Sequence, residues 1–126
     1  MNITLSVLSF AVAYFAGSIP SAVWAGKIFH GVDVREHGSG NAGATNTIRV
    51  LGWKTGIPVL AVDILKGVLA VLIPVLLKAA PPDSTQMLAL QIACGMAAIT
   101  GHIFPLFAGF RGGKGVATAF GVLLAI

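Results

Sequence analysis

The segment Ile3–Trp24 reads ITLSVLSFAVAYFAGSIPSAVW and contains no charged residue. A helix that crosses the ~30 Å hydrocarbon core of a bilayer needs about 20 mostly apolar residues, and this segment is long enough. It has no basic region ahead of the apolar run, and that run is too long for a secretory signal peptide. The segment therefore predicts a transmembrane helix. We expect Ser18, Pro20 and Ser21 to form a proline kink whose hydroxyls bond to freed carbonyls.

Three further apolar segments follow along the chain. Thr55–Leu77 and Met87–Phe110 are each long enough to cross a bilayer as helices. Gly115–Ile126 is uncharged but rises only about 18 Å at ~1.5 Å per residue, so we expect an incomplete span in a chain truncated at its C-terminus. The sequence thus predicts an all-α, polytopic transmembrane helix bundle with three full spans and a partial fourth, forming one integral membrane domain over residues 1–126.

The composition argues against a soluble globular protein. Apolar residues make up 56% of the chain and charged residues 10%, whereas an average soluble domain carries about 25% charged residues. The 16 glycines fit a helix bundle, because glycine lets transmembrane helices approach closely. The only cysteine, Cys94, cannot form an internal disulfide and is expected to be a small core residue. No zinc-site pattern is present, and neither a metal nor a cofactor is expected.

The net charge of +4 comes from basic residues beside the apolar runs. This placement indicates that the charges orient the protein in the membrane and bind phosphate, rather than bind nucleic acid. Most of the lysines and arginines fall in two segments, Ala25–Lys54 and Phe110–Gly115. The connection Lys78–Gln86 between the second and third spans holds one lysine and one aspartate. By the positive-inside rule, the two basic segments are cytoplasmic and the N-terminus is outside.

The first basic segment contains the run GSGNAGATN, from Gly38 to Asn46. Such small residues leave backbone N–H groups accessible and add short hydroxyl and amide donors, which an anion-binding nest needs. If a helix begins near Thr45, Arg49 lies one turn in, near the helix end that favours anions. A flexible turn at the membrane edge is the alternative interpretation.

The second basic segment reads FRGGKG, from Phe110 to Gly115. Its glycines would permit close approach of the backbone to an anion, and Lys114 supplies a mobile positive charge. It is not a Walker A loop, because Gly115 stands where the magnesium-binding Ser or Thr should be. In the alternative interpretation, Arg111 and Lys114 only fix the orientation in the membrane.

Three ionisable residues lie inside the apolar segments. Asp63 and Lys66 are three residues apart and share one helix face. They form either a structural ion pair or part of a substrate site, with Lys66 the one better able to reach an anion. His102 lies within about three helical turns of the second basic segment. It is either a structural hydrogen-bonding group or a base.

Together these segments resemble the acylphosphate-dependent glycerol-3-phosphate acyltransferases of bacterial membranes. Four motifs carry the resemblance, in the family's order and spacing. They are Gly17-Ser18-Ile19-Pro20-Ser21; Gly38-Ser39-Gly40-Asn41 with Gly43-Ala44-Thr45-Asn46 and Arg49; Asp63, Lys66 and Gly67; and Gly101-His102, Phe104-Pro105, Phe107 and Phe110 followed by Gly112-Gly113-Lys114-Gly115-Val116-Ala117-Thr118. Family members are longer, with a third cytoplasmic motif near the C-terminus that this chain lacks.

The resemblance implies transfer of a fatty acyl group from acyl phosphate to the 1-hydroxyl of glycerol 3-phosphate, the first step of phospholipid synthesis. It implies an enzyme of the bacterial inner membrane, embedded in membrane lipid, with its active site facing the cytoplasm. The candidate catalytic residues are Lys114, His102, Ser39 and Arg49. The candidate substrate-binding residues are Gly38, Gly40, Asn41, Thr45, Asn46, Lys66, Gly112, Gly113 and Thr118. The proton acceptor is either His102 or a phosphate oxygen of the substrate.

Two other functions remain open at this point. A transporter or channel for a phosphorylated metabolite would also need basic loops and an Asp/Lys pair inside the membrane. Inverted repeats would favour a transporter, but none is visible. The third interpretation is an inactive fragment of the acyltransferase. Acyl-chain preference and oligomeric state do not follow from the sequence.

Overall fold

The computed structural model describes all 126 residues, and every regular element in it is helical. Six α-helices follow in chain order: α1 (Ile3–Gly17), α2 (Ser21–His30), α3 (Ala44–Leu51), α4 (Trp53–Leu76), α5 (Thr85–Ile103) and α6 (Val116–Ala125). One short 3-10 turn, Val34–Glu36, lies in the first basic segment, and another, Leu106–Ala108, comes just before the second. The all-α prediction is confirmed.

Three stretches are long and apolar enough to cross a membrane, as predicted. They are Ile3–His30 with 28 residues, Trp53–Leu76 with 24 and Thr85–Ala108 with 24. The shorter apolar helix α6 packs mainly against α4. Large apolar side chains such as Val7 and Leu123 face outward, at 64% and 75% exposure. Such a surface suits lipid and not water.

The first predicted span is two helices with a break at Ser18–Pro20 rather than one kinked helix. Pro20 has no N–H to donate to the preceding turn, and α1 ends before it, at Gly17. The expectation that the hydroxyls here bond to freed carbonyls is wrong for Ser21, whose Oγ instead donates to Asp63 Oδ1 at 2.6 Å. A carbonyl in the break, that of Ile19, accepts from Lys66 Nζ at 2.9 Å. Two side chains of α4, Asp63 and Lys66, therefore stabilise the break by hydrogen bonds.

Glycines set the closeness of the helices. A methyl group at Gly67 of α4 would collide with the backbone of Thr118, and one at Gly121 of α6 with the backbone of Ile64. At Gly17 of α1 it would collide with the backbone of α5. The small core between α1, α4 and α5 includes Cys94, which is fully buried as predicted.

The two basic segments lie at one end of the bundle and the N-terminus at the other. The backbone N–H of Asn2 donates to the carbonyl of Ala79, in the connection between α4 and α5, at 2.8 Å. At the far end, Arg111 Nη2 lies 2.7 Å from Glu36 Oε1, which joins the two segments directly. Residues far apart in sequence can thus form one site there.

Candidate functional site

A cavity of about 610 Å³ opens between the two basic segments. Ligand sites typically have roughly 300–1,000 Å³. Most of the predicted catalytic and binding side chains line this cavity: Ser39, Asn41, Thr45, Asn46, Arg49, His102 and Lys114. Residues of α4 and α6 complete the wall, including Leu60, Ile64 and Phe120. The structure therefore brings both predicted motifs to one site.

The cavity carries an excess of positive charge. Arg49 and Lys114 are exposed and have no carboxylate partner anywhere in the chain. The acidic residue in the wall, Asp63, is already paired with Lys66 at 3.0 Å. Two unpaired cations facing one space favour the binding of anions such as phosphate.

Two helices also point their amino ends at this cavity. Gly43, Ala44 and Thr45 around the start of α3 line it, as do Gly115, Val116 and Ala117 around the start of α6. The first N–H groups of a helix have no partner within the helix and attract anions. The predicted helix start near Thr45 is confirmed. Arg49 lies about one and a half turns in, which is already the last turn of this short helix.

Asn46 lines the cavity, yet its side chain is occupied within the loop. Its Nδ2 donates to the carbonyls of Val34, His37 and Asn41 at 2.9, 3.1 and 3.0 Å, and its Oδ1 accepts from the N–H of Ser39 at 3.0 Å. The residue is 1% exposed. Contrary to the expectation of a phosphate ligand, Asn46 shapes the glycine-rich loop around it.

Two of the predicted binding glycines, Gly38 and Gly40, do not line the cavity. Both have positive φ angles, 57° and 76°, which glycine adopts without strain. The loop between them turns so that Ser39 and Asn41 reach the cavity wall. These glycines thus shape the site without lining it.

The predicted role of Gly112 and Gly113 also differs from the structure. Their N–H groups donate to the carbonyls of Ile103 at 3.0 Å and of His102 at 3.2 Å, at the end of α5. Neither glycine lines the cavity, so neither offers its N–H to a phosphate there. A methyl group at Gly113 would crowd the imidazole of His102. The two glycines let the second segment pack on α5 and carry Lys114 to the cavity.

A buried polar cluster lies beneath the cavity. Asp63 Oδ1 accepts from Ser21, pairs with Lys66 and lies 3.7 Å from His102 Nδ1. Lys66 is 4% exposed and outside the cavity wall, which fits the structural ion pair rather than a substrate ligand. Thr118 is fully buried beside Gly67 in the contact between α4 and α6, so it too lies outside the wall.

The residue that sequence reasoning missed is Arg35, which entered only as one of the positive charges. Its side chain bonds to the carboxylate of Asp33, to the carbonyl of Arg111 in the second basic segment and to the carbonyl of Ala108 just before that segment. The hydrogen bonds that Arg35 donates to Asp33, above all those from its side chain, lower the pKa of the Asp33 carboxyl to about 2. The pair Asp33 and Arg35, two residues apart, was the only available signal, since the carbonyl partners lie 73 and 76 residues away.

A second cavity, of about 680 Å³, lies at the opposite end of the bundle. It is slightly larger, but its charged lining residues are one lysine, Lys78, and one aspartate, Asp83. It holds no excess of positive charge, and none of the predicted site residues line it.

Comparison with known proteins identifies the family of this chain. The sequence model of the family described as glycerol-3-phosphate acyltransferase matches residues 7–126. Similar curated proteins include glycerol-3-phosphate acyltransferases of Chlorobaculum tepidum, 54% identical over 121 residues, and of Streptococcus equi subsp. zooepidemicus, 51% identical over 118 residues. The alignments cover 91% and 94% of this chain but 51% and 52% of those relatives. The chain thus spans about half the length of the curated relatives it matches.

Two solved structures are also similar, both of PlsY (YgiH), an integral membrane glycerol 3-phosphate acyltransferase. The glycerol 3-phosphate form matches with a TM-score of 0.79 at 43% identity, and the lysophosphatidic acid form with 0.74 at 41%. Each match covers 95% of this chain and 56% of the solved one. With the same helical fold as these structures and a family match over residues 7–126, this chain belongs to the glycerol-3-phosphate acyltransferase family.

Proposed function

We propose that this protein transfers a fatty acyl group from acyl phosphate to the 1-hydroxyl of glycerol 3-phosphate. The hydroxyl oxygen attacks the acyl carbonyl carbon and forms an ester bond. The bond between that carbon and the phosphate oxygen breaks, and inorganic phosphate leaves. The products are 1-acylglycerol 3-phosphate and phosphate. Because acyl phosphate is an activated mixed anhydride, the reaction needs neither a covalent enzyme intermediate nor a metal.

The single observation that carries this proposal is the cavity between the two basic segments. Both substrates are phosphate esters or anhydrides, and the cavity combines two unpaired cations with the amino ends of two helices. A related structure bound to glycerol 3-phosphate supports that molecule as one of the two substrates. Holding two phosphates in one cavity would align hydroxyl and carbonyl for attack.

The side chains divide into two groups across the cavity. Ser39, Asn41, Thr45 and Arg49 would bind one phosphate, beside the start of α3. Lys114 would bind the other at the start of α6 and offset the negative charge on the leaving phosphate.

His102 would take the proton of the attacking hydroxyl, or a phosphate oxygen of the substrate would take it instead. The histidine reaches the cavity wall and lies next to Gly113. The one carboxylate in the wall, Asp63, is already bonded to Ser21 and Lys66, which makes it a poor proton acceptor. A general base must lie within hydrogen-bond reach of the proton it removes, and the position of His102 in the cavity wall supports this role.

The proposed setting is the bacterial inner membrane, with this cavity facing the cytoplasm. The clustering of lysines and arginines at the cavity end of the bundle supports this orientation. Glycerol 3-phosphate, which is water-soluble, would then reach the cavity from the cytoplasm.

The direct test is acyl transfer by the protein reconstituted in lipid vesicles. Labelled glycerol 3-phosphate is supplied with palmitoyl phosphate in one reaction and with palmitoyl-CoA or palmitoyl carrier protein in two others. We expect labelled 1-acylglycerol 3-phosphate only with palmitoyl phosphate. Transfer from palmitoyl-CoA alone would place the protein in another acyltransferase class. A transporter would instead carry labelled glycerol 3-phosphate into sealed vesicles without any acyl donor, but the family match does not favour it.

A further inference from the structure

The two basic segments are joined at their base by one largely buried arginine. Arg35 lies in the 3-10 turn Val34–Glu36, and its side chain is 11% exposed. Its Nη1 donates to the carbonyl of Ala108 at 2.7 Å and to the carbonyl of Arg111 at 3.0 Å. These carbonyls belong to the stretch that leads directly into Gly112, Gly113 and Lys114.

The other edge of the same guanidinium is fixed by Asp33. Arg35 Nε and Nη2 lie 3.0 and 2.9 Å from the two carboxylate oxygens, and Asp33 also accepts from the backbone N–H of Arg35 at 3.0 Å. A planar guanidinium can bond along both edges at once, whereas a lysine ammonium cannot reproduce this fork. The direction of Arg35 is thus determined before it meets the second segment.

The turn that carries Arg35 is itself held to the first motif. Asn46 of α3 bonds to the carbonyls of Val34 and His37, on either side of the arginine. Arg49 projects from that same helix to the cavity. A chain of hydrogen bonds therefore runs from α3, through the turn and Arg35, to the segment that bears Lys114.

We propose that Arg35 is a positioning residue that sets the separation between the two phosphate-binding sides of the cavity. This inference rests on the proposed function, since it assumes that Arg49 and Lys114 hold two phosphates of one reaction. Arg35 does not line the cavity, so it would touch neither substrate there. It acts by holding the backbone three residues before Lys114 against the first basic segment.

A second arginine offers a matched control. Arg111 also bridges the two segments, through Glu36 at 2.7 Å, but both side chains are at least 60% exposed. An exposed ion pair of this kind contributes little to stability, because water and salt screen it. Arg111→Gln should therefore leave turnover nearly unchanged, although it removes a bridge between the same segments.

The test compares Arg35→Lys, Arg35→Ala and Arg111→Gln in vesicles, with kcat and KM measured for both substrates. Arg35→Lys keeps the charge but loses the fork, and we expect kcat to fall roughly tenfold or more, because misplacement by ~1 Å costs about 10²-fold. KM should change much less, since each phosphate keeps its own ligands. Ethylguanidinium added to Arg35→Ala should restore part of kcat, and ethylammonium should not.

The outcomes separate this inference from the proposed function. A parent protein without acyl transfer would refute the proposed function before Arg35 is tested. With an active parent, the inference is overturned if Arg35→Lys keeps parental kcat, if Arg111→Gln loses as much, or if ethylammonium rescues equally well. If Arg35→Ala fails to fold, Asp33→Asn provides the second variant. Asp33→Asn keeps the arginine but weakens the hydrogen bonds that orient its guanidinium. It should lower kcat with a smaller change in KM.

Discussion

Lys66 Nζ lies 2.9 Å from the main-chain carbonyl oxygen of Ile19, in the break between α1 and α2. The same ammonium pairs with Asp63 at 3.0 Å, and both charged side chains are almost fully buried. An uncompensated charge inside a membrane protein is costly, so the pair is best understood as one neutral unit. That unit joins α4 to the point where the first span changes direction.

Removing one member of this pair should be more harmful than removing both. We expect Lys66→Met to lower the free energy of unfolding by about 3–5 kcal/mol, because Asp63 is left buried without its cation. The double variant Asp63→Asn with Lys66→Met should be more stable than Lys66→Met alone. Denaturant unfolding in matched detergent measures the parent, Asp63→Asn, Lys66→Met and the double variant. Lys78→Met, at an exposed position of the opposite end, serves as the control. Losses that simply add in the double variant would argue against a coupled pair.

The hydrophobic pattern of the sequence was sufficient to predict the membrane spans. A helix that crosses lipid must be long and apolar, and such helices can be identified by their length. The sequence also predicted where the cavity lies, since the uneven distribution of lysines and arginines indicated that both basic segments lie at one end of the bundle. Arg49 and Lys114 do meet there. These features depend on composition along the chain and not on detailed contacts.

Hydrogen bonds between residues far apart in the chain could not be predicted from the sequence. Asn46 belongs to a polar run typical of anion sites, but three carbonyls and one N–H saturate its side chain. Gly112 and Gly113 suggest a phosphate loop, but their N–H groups bond to the end of α5. Whether a donor is free or occupied depends on partners elsewhere in the fold, which a local motif does not reveal.

Asp33 should make the protein sensitive to acid. Hydrogen bonds from Arg35 lower its pKa from 3.8 to about 2. A carboxylate whose pKa is lower in the folded state stabilises the fold above pH 3.8, and this contribution is lost as the pH falls through about 2. We therefore expect Asp33→Asn to melt at a lower temperature than the parent at pH 6, with the difference shrinking below pH 4. A difference that stays constant down to pH 2 would contradict this assignment.

The orientation in the membrane can be tested by cysteine labelling in a Cys94→Ala background. His37→Cys and Arg111→Cys probe the two basic segments, and Gln86→Cys probes the connection at the opposite end; all three positions are exposed. An impermeant maleimide added to intact cells should label only position 86, because the lysine and arginine asymmetry predicts that the cavity end faces the cytoplasm. Labelling of position 37 or 111 from outside would invert the proposed topology.

Lys114 should contribute most directly to turnover. Its ammonium lines the cavity at the start of α6 with no carboxylate partner, so its charge is free to stabilise a departing phosphate. Removing one preorganised charge partner costs roughly 10²–10³-fold in kcat, and we expect a loss of that order for Lys114→Ala. Lys54→Ala is the matched control, because Lys54 is an exposed lysine at the same end of the bundle and lies outside the cavity wall. Lys54→Ala should stay within about twofold of the parent, since substitutions at exposed positions away from a site have small effects. If both variants kept parental turnover with palmitoyl phosphate, Lys114 would serve only as a positive charge that orients the protein in the membrane.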